Sequence, residues 1–124
     1  MNHKIAIAGA TGRMGQMLIE AVCAADDCTL TGALDRVGHA ALGQDAGAFA
    51  GKMTGVHITD DLAKGLQHSD VLIDFTRPEG TLAHLRVCRD KGVAAVIGTT
   101  GFTEVQKAEI AVFAQSIPIV LAPN

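Results

Sequence analysis

Apolar residues along this chain gather in short runs closed by a glycine or a polar residue: Ile5–Ala8, Cys28–Leu34, Val56–Ile58, Val71–Thr76, Val93–Ile97 and Ile117–Leu121. Runs of this kind predict strands buried on both faces, as in a parallel sheet. Between them the apolar period lengthens. Met14, Leu18, Ala21 or Val22, and Ala25 recur at helical spacing, as do Leu82, Leu85 and Cys88, then Val105, Ala108 and Val112 or Phe113. Thr59-Asp60-Asp61 caps a short helix to about Gln67, and Pro78 suits the first position of another reaching about Asp90. Thr103 and Gln106 have capping-box spacing, opening a helix to about Gln115. Val37 to Gly55 carries five glycines and little periodicity. It predicts a long loop with one short helical turn near Leu42 and an exposed His39.

Six strands alternating with helices predict an α/β fold, a doubly wound parallel sheet in the order 3-2-1-4-5-6, with Val56–Ile58 at an edge. Pro118 marks either the start of the last strand or an edge position for it. With 124 residues, 48% hydrophobic, the chain suffices for one domain with a sizeable core. A formal net charge of −3 offers no basic surface for nucleic acid. No apolar run approaches the ~20 residues that span a bilayer, and nothing before the first strand reads as a signal peptide. The three cysteines, Cys23, Cys28 and Cys88, form no C-x-x-C. They are expected as buried thiols of a reducing cytoplasm, not as metal ligands.

The chemistry concentrates where strands end. Gly9-Ala10-Thr11-Gly12-Arg13-Met14-Gly15 joins the first strand to the first helix. In such a turn the first glycine permits the bend, the second lets backbone approach a phosphate, and the third lets helix pack on strand. Amides at the new helix N-terminus favour an anion. Arg13 in that first turn opposes the helix dipole, which suits a bound phosphate better than an empty site. Asp35 lies twenty residues beyond Gly15, about where a Rossmann-type dinucleotide-binding domain places the acid for the adenine ribose hydroxyls. Its neighbour Arg36 could hold a 2′-phosphate or lie over adenine. Phe75, Thr76 and Arg77 follow a central strand; Phe75 could meet a cofactor ring or belong to the core, and Arg77 could meet an anion or only solvent. Gly98-Thr99-Thr100-Gly101 forms a tight loop whose backbone and hydroxyls could meet a carboxamide or carboxylate. Ala122-Pro123-Asn124 follows the last strand, so all these segments share one rim and imply one ligand.

Taken together, Ile7 to Gly15, Asp74-Phe75-Thr76-Arg77-Pro78-Glu79 and Gly98-Thr99-Thr100-Gly101-Phe102 resemble the 4-hydroxy-tetrahydrodipicolinate reductase (dihydrodipicolinate reductase) family, in the right order across the whole chain. The resemblance implies a cytoplasmic enzyme of the diaminopimelate route to lysine, reducing a cyclic unsaturated dicarboxylic acid with NADH or NADPH. It implies that Gly9, Ala10, Thr11, Gly12, Arg13 and Met14 hold the pyrophosphate, and that Asp35 and Arg36 meet the adenosine end. Phe75, Thr76, Arg77, Gly80 and His84 would lie along the cofactor. Gly98, Thr99 and Thr100 would contact the nicotinamide, with Thr100 also touching substrate, and Ala122, Pro123 and Asn124 would begin a hinge into a second domain. The family often carries Glu at the position of Asp35, so the NADH:NADPH preference stays open. Its catalytic histidine and lysine, its substrate loop and its tetramer contacts belong to that second domain, which this chain lacks. Residues 1–124 are therefore expected to be the dinucleotide-binding domain alone, with no catalytic residue and no turnover.

Other readings fare worse. Short-chain reductases need a tyrosine proton donor, and this chain has none. A phosphate-binding P-loop needs Gly and Lys where Met14 and Gly15 stand. A non-catalytic dinucleotide sensor or a CoA-binding module remains the alternative.

Overall fold

The computed structural model describes residues 2–122. Strands and helices alternate: β1 (His3–Ala8), α1 (Arg13–Ala24), β2 (Cys28–Leu34), α2 (Leu62–Leu66), β3 (Val71–Asp74), α3 (Pro78–Lys91), β4 (Ala94–Ile97), α4 (Glu104–Phe113) and β5 (Ile119–Leu121). One parallel sheet runs in the order β2-β1-β3-β4-β5. Along β1, Ile5 and Ile7 face one layer, with Ile19 and Val22 of α1. Ala6 and Ala8 face the other, with Leu66 of α2, Leu82 and Leu85 of α3 and Phe113 of α4. Alternation of successive side chains across the sheet thus builds two cores from one strand. Among the described residues, no helix is long and apolar enough to cross a membrane.

The expected strand at Val56–Ile58 does not form. Its backbone bonds instead to the preceding loop: the Ala46 amide donates to the Val56 carbonyl, Ile58 to Gln44, and Gly43 to Ile58. Only Thr59 reaches β2, donating to the Ala33 carbonyl and accepting from the Asp35 amide. Asp45 causes the diversion. Its carboxylate accepts from the amides of Gly47, Thr54 and Gly55 and from the Thr54 hydroxyl, at 2.7–3.0 Å, which cinches the loop. The Thr54 and Gly47 amides, opposed by desolvation, hold the Asp45 carboxyl well below the usual carboxylate range. A groove of about 740 Å³ remains between β2, residues 55–60 and α2. It lies along the open sheet edge, where the missing strand would have run.

Three expectations about buried faces also shift. In α1 the buried positions are Gly15, Ile19 and Val22; Val22 is one of the expected positions, but Gly15 and Ile19 take the places of Met14 and Leu18, and Met14 is exposed. The helix sits so close to the end of β1 that glycine itself is the contact residue. In α4, Ile110 and Phe113 are buried while Val105 and Val112 face outward. Of the cysteines only Cys88 is buried; Cys23 is exposed and Cys28 half-buried.

Helix ends follow their capping residues. The Asp61 carboxylate accepts from the Lys64 amide to start α2, and Thr103 with Gln106 forms the capping box of α4. Pro78 opens α3 at its first turn, where a missing N–H costs nothing.

Candidate functional site

Pairing register fixes the site. Leu34, Ala8, Asp74, Ile97 and Leu121, the last residues of β2, β1, β3, β4 and β5, stand opposite one another across the sheet. The next residues, Asp35, Gly9, Phe75, Gly98 and Ala122, therefore leave the sheet as one row along its C-terminal rim. Four interstrand steps make that row roughly 19 Å long. Every segment singled out from the sequence emerges there. Ala122 is exposed at its far end, and Pro123 and Asn124 lie outside the described residues.

The glycine turn is held from within. The Gly9 and Ala10 amides both donate to the Leu34 carbonyl at 2.9 and 3.0 Å, and the Gly12 amide donates to Gly9 at 3.0 Å. The Thr11 amide donates to Asp35 Oδ2 at 2.9 Å. Gly9 to Gly12 thus shape the turn with their own donors. The amides of Arg13, Met14 and Gly15 are left without an acceptor among the described residues. A helix N-terminus with three free donors and no acidic residue in its first turn suits a phosphate.

The glycines divide by cause. Gly9 has φ +78°, a left-handed conformation that side chains resist. A Cβ on Gly15 would overlap the Gly9 carbonyl. Gly12 has neither constraint: its φ is −73°, and a Cβ there would meet only the Gly9 oxygen at an ordinary 3.4 Å. Nothing in the protein's own packing demands glycine at position 12, so the open space above it is where a ligand's approach would demand one.

At the β2 end, Asp35 is half-buried. Its Oδ2 accepts both the Thr11 amide and the Thr11 hydroxyl, the latter at 2.6 Å, while Oδ1 accepts only the Arg36 amide at 2.8 Å. Burial pushes this carboxyl upward, but the Thr11 hydroxyl and amide and the Arg36 amide outweigh it and hold the value below the ordinary one. The carboxylate is therefore ionised at neutral pH with lone-pair capacity left on Oδ1, as acceptance of a ribose hydroxyl requires. The Arg36 side chain is exposed beside it.

His39 departs from its expected place. It is half-buried, with Nε2 3.1 Å from the Thr11 hydroxyl and Nδ1 accepting the Ala41 amide at 2.9 Å. An imidazole four residues past the acid was the available signal, but a glycine-rich loop gives no period from which to read its direction.

At the centre of the row, Asp74 is 1% exposed and carries a network. Its Oδ1 accepts the Thr76 amide at 3.0 Å and hydroxyl at 2.6 Å, and its Oδ2 meets His84 Nδ1 at 2.6 Å. The Thr99 hydroxyl accepts the Thr76 amide and lies 2.8 Å from the Thr81 hydroxyl. Half-buried Thr76 and His84 and buried Thr99 thus form one scaffold around the Asp74 carboxylate under the rim, and Gly80 on α3 faces Thr76 and His84. Arg77 and Thr100 are exposed above it. Burial, reinforced by the charge of Asp74, pushes the Cys88 thiol up to about 12, so it is inert.

Phe75 lies against Gly98, its ring occupying the space a Cβ on Gly98 would fill. The close approach joins the crossover after β3 to the loop after β4. Gly98→Ala is expected to displace the ring and cost about 1–3 kcal/mol, measured as a lowered urea midpoint.

A parallel sheet with a glycine turn offering free amides at one strand end and an ionised acid at the next defines a Rossmann-type dinucleotide-binding domain. Residues 3–124 match the family model described as dihydrodipicolinate reductase, N-terminus. The chain belongs to that family. It is 62% identical over 121 residues to the 4-hydroxy-tetrahydrodipicolinate reductase of Ralstonia nicotianae, covering 98% of this chain and 46% of that protein. Its counterpart of the same name in Burkholderia mallei is 61% identical, with 98% and 45% covered. Among solved structures, dipicolinate-bound dihydrodipicolinate reductase from Paenisporosarcina sp. TG-14 superposes with a TM-score of 0.73 at 29% identity, over 92% of this chain and 43% of that one. An imine reductase variant from Myxococcus stipitatus, in complex with NAD+, shares the fold at 22% identity and a TM-score of 0.66, over 96% and 39%. The chain spans about half the length of the curated relatives it matches.

Proposed function

We propose that this chain is the cofactor-binding half of a 4-hydroxy-tetrahydrodipicolinate reductase, taking NADH or NADPH along the C-terminal rim of its sheet. The observation that carries the reading is the combination of three unpaired amides at Arg13, Met14 and Gly15 with a glycine at position 12 that the fold itself does not require. In this reading those amides and the Arg13 guanidinium bind the pyrophosphate. Asp35 Oδ1 takes a ribose hydroxyl and Arg36 a 2′-phosphate. Phe75, Thr76, Arg77, Gly80, His84, Gly98, Thr99 and Thr100 line the path to the nicotinamide, with Ala122, Pro123 and Asn124 closing it. When bound, the reduced nicotinamide supplies a hydride to an unsaturated dicarboxylic acid, which Thr100 helps position. The proton donor, most of the substrate site and the contacts of a homotetramer belong to a second domain. Residues 1–124 alone bind cofactor without turnover.

Equilibrium titration with NADH, NADPH and CoA tests this. A reduced nicotinamide dinucleotide is expected to bind and CoA not to. Gly12→Ala should weaken cofactor binding roughly tenfold or more, since an added methyl enters the phosphate's space. Stability should change by less than about 1 kcal/mol, because the position is an N-cap of ordinary backbone. Unchanged affinity in that variant, or binding of CoA alone, contradicts the reading; the latter favours the CoA module.

A further inference from the structure

Only one arrangement of protons satisfies His39 and its neighbours. The Ala41 amide is a donor, so His39 Nδ1 accepts it and the neutral ring carries its proton on Nε2. The Asp35 carboxylate is acceptor-only, so the Thr11 hydroxyl donates to Oδ2 and receives the His39 Nε2–H in turn. The chain Ala41 N–H to His39, His39 to Thr11, Thr11 to Asp35 is directional from end to end, and each bond polarises the next. It ends on the carboxylate that faces the adenosine end of the rim.

We propose that His39 is a positioning residue for cofactor choice, fixing Asp35 through Thr11 so that a ribose with a free 2′-hydroxyl is accepted and a 2′-phosphate is resisted. This rests on the dinucleotide reading above and extends it to a residue outside the glycine turn and the strand ends. Held in place, the Asp35 charge receives a hydroxyl proton on Oδ1 and repels a phosphate at the same point. Without the relay the Thr11 hydroxyl keeps its bond to Oδ2 but loses the donor that orients and polarises it, so Asp35 is held less firmly and can turn toward solvent when a phosphate arrives.

Two substitutions separate the relay from the loop. His39→Asn keeps an acceptor for the amide two residues on, the geometry of an Asx turn, but is too short to reach Thr11. His39→Gln places an amide N–H near the Nε2 position and restores the donor to Thr11. Dissociation constants for NADH and NADPH are measured on the unaltered chain and both variants. The preference for NADH over NADPH is expected to fall roughly fivefold in the Asn variant, the worth of one hydrogen bond, and to recover in the Gln variant. Nitrogen chemical shifts of the cofactor-free chain should report His39 as the Nε2–H tautomer. An Nδ1–H ring, or an Asn variant that weakens both cofactors equally, overturns the role of His39 while leaving the dinucleotide site intact. Failure of the unaltered chain to bind either cofactor overturns the site and this inference together.

Discussion

Gly15→Ala is expected to lower the stability of the chain by about 3 kcal/mol, the upper part of the range for overpacking. Two effects oppose each other at this position. Alanine is the better helix former and gains roughly 1 kcal/mol over glycine inside α1. Against it, the new methyl overlaps the carbonyl group of Gly9 and touches the Cα of Ala10. Those are backbone atoms of a turn whose amides are already bonded to Leu34, so neither can yield as the end of a flexible side chain would. Relief comes only if α1 lifts off the end of β1, which uncovers Ile19 and Val22 and moves the amides of Arg13 and Met14. Steric exclusion therefore outweighs propensity. Urea unfolding should show the lowered midpoint, and amide exchange in α1 should accelerate more than in α3. A midpoint equal to or above that of the unaltered chain means that the helix rides farther from the strand than described. Gly12→Ala, three residues away, serves as the internal control because its Cβ finds ordinary space.

The same contrast explains how much was legible in the sequence. The row of strand ends could be read because doubly buried strands appear as apolar runs, and Ile5–Ala8 or Val71-Leu72-Ile73 need no tertiary information to be recognised, although the latter strand stops at Asp74, two residues short of the expected Thr76. Asp35 and the glycine turn were readable because their spacing follows from the length of one helix and one strand. Positions decided by a distant partner were not. Val56–Ile58 has a strand's composition, yet Asp45 draws that segment toward the loop, and no local pattern records it. The first half of the α1 stripe was misplaced by one residue, at Gly15 and Ile19, because a glycine counts as a spacer in a periodicity, whereas here its missing side chain is the contact. His39 failed for a related reason. A polar ring in a glycine-rich loop reads as exposed until the fold brings Thr11 beside it.

Asp74→Ala is expected to cost about 3 kcal/mol, the upper part of the range for leaving buried donors without their acceptor. Three donors lose their acceptor at once: the Thr76 amide, the Thr76 hydroxyl and His84 Nδ1. The Thr76 amide retains Thr99 and the Thr76 hydroxyl retains only a long contact with the Thr81 hydroxyl at 3.5 Å, while half-buried His84 Nδ1 loses the partner it has among the described residues. A buried donor without an acceptor forfeits its hydration with nothing in exchange. Asp74→Asn separates charge from geometry. Its carbonyl can serve both Thr76 donors while its NH₂ faces His84, provided the imidazole accepts at Nδ1 and moves its proton to Nε2. The Asn variant should therefore lose much less stability than the Ala variant and show an inverted His84 tautomer by nitrogen chemical shift. Because Phe75, Thr76 and Arg77 leave the sheet directly above this carboxylate, the Ala variant should also lose cofactor affinity at a denaturant concentration where it remains folded. Equal losses in the two variants, with the His84 ring unchanged, mean that the charge of Asp74, which asparagine lacks, and not the shape of its hydrogen bonds to Thr76 and His84, orders the rim.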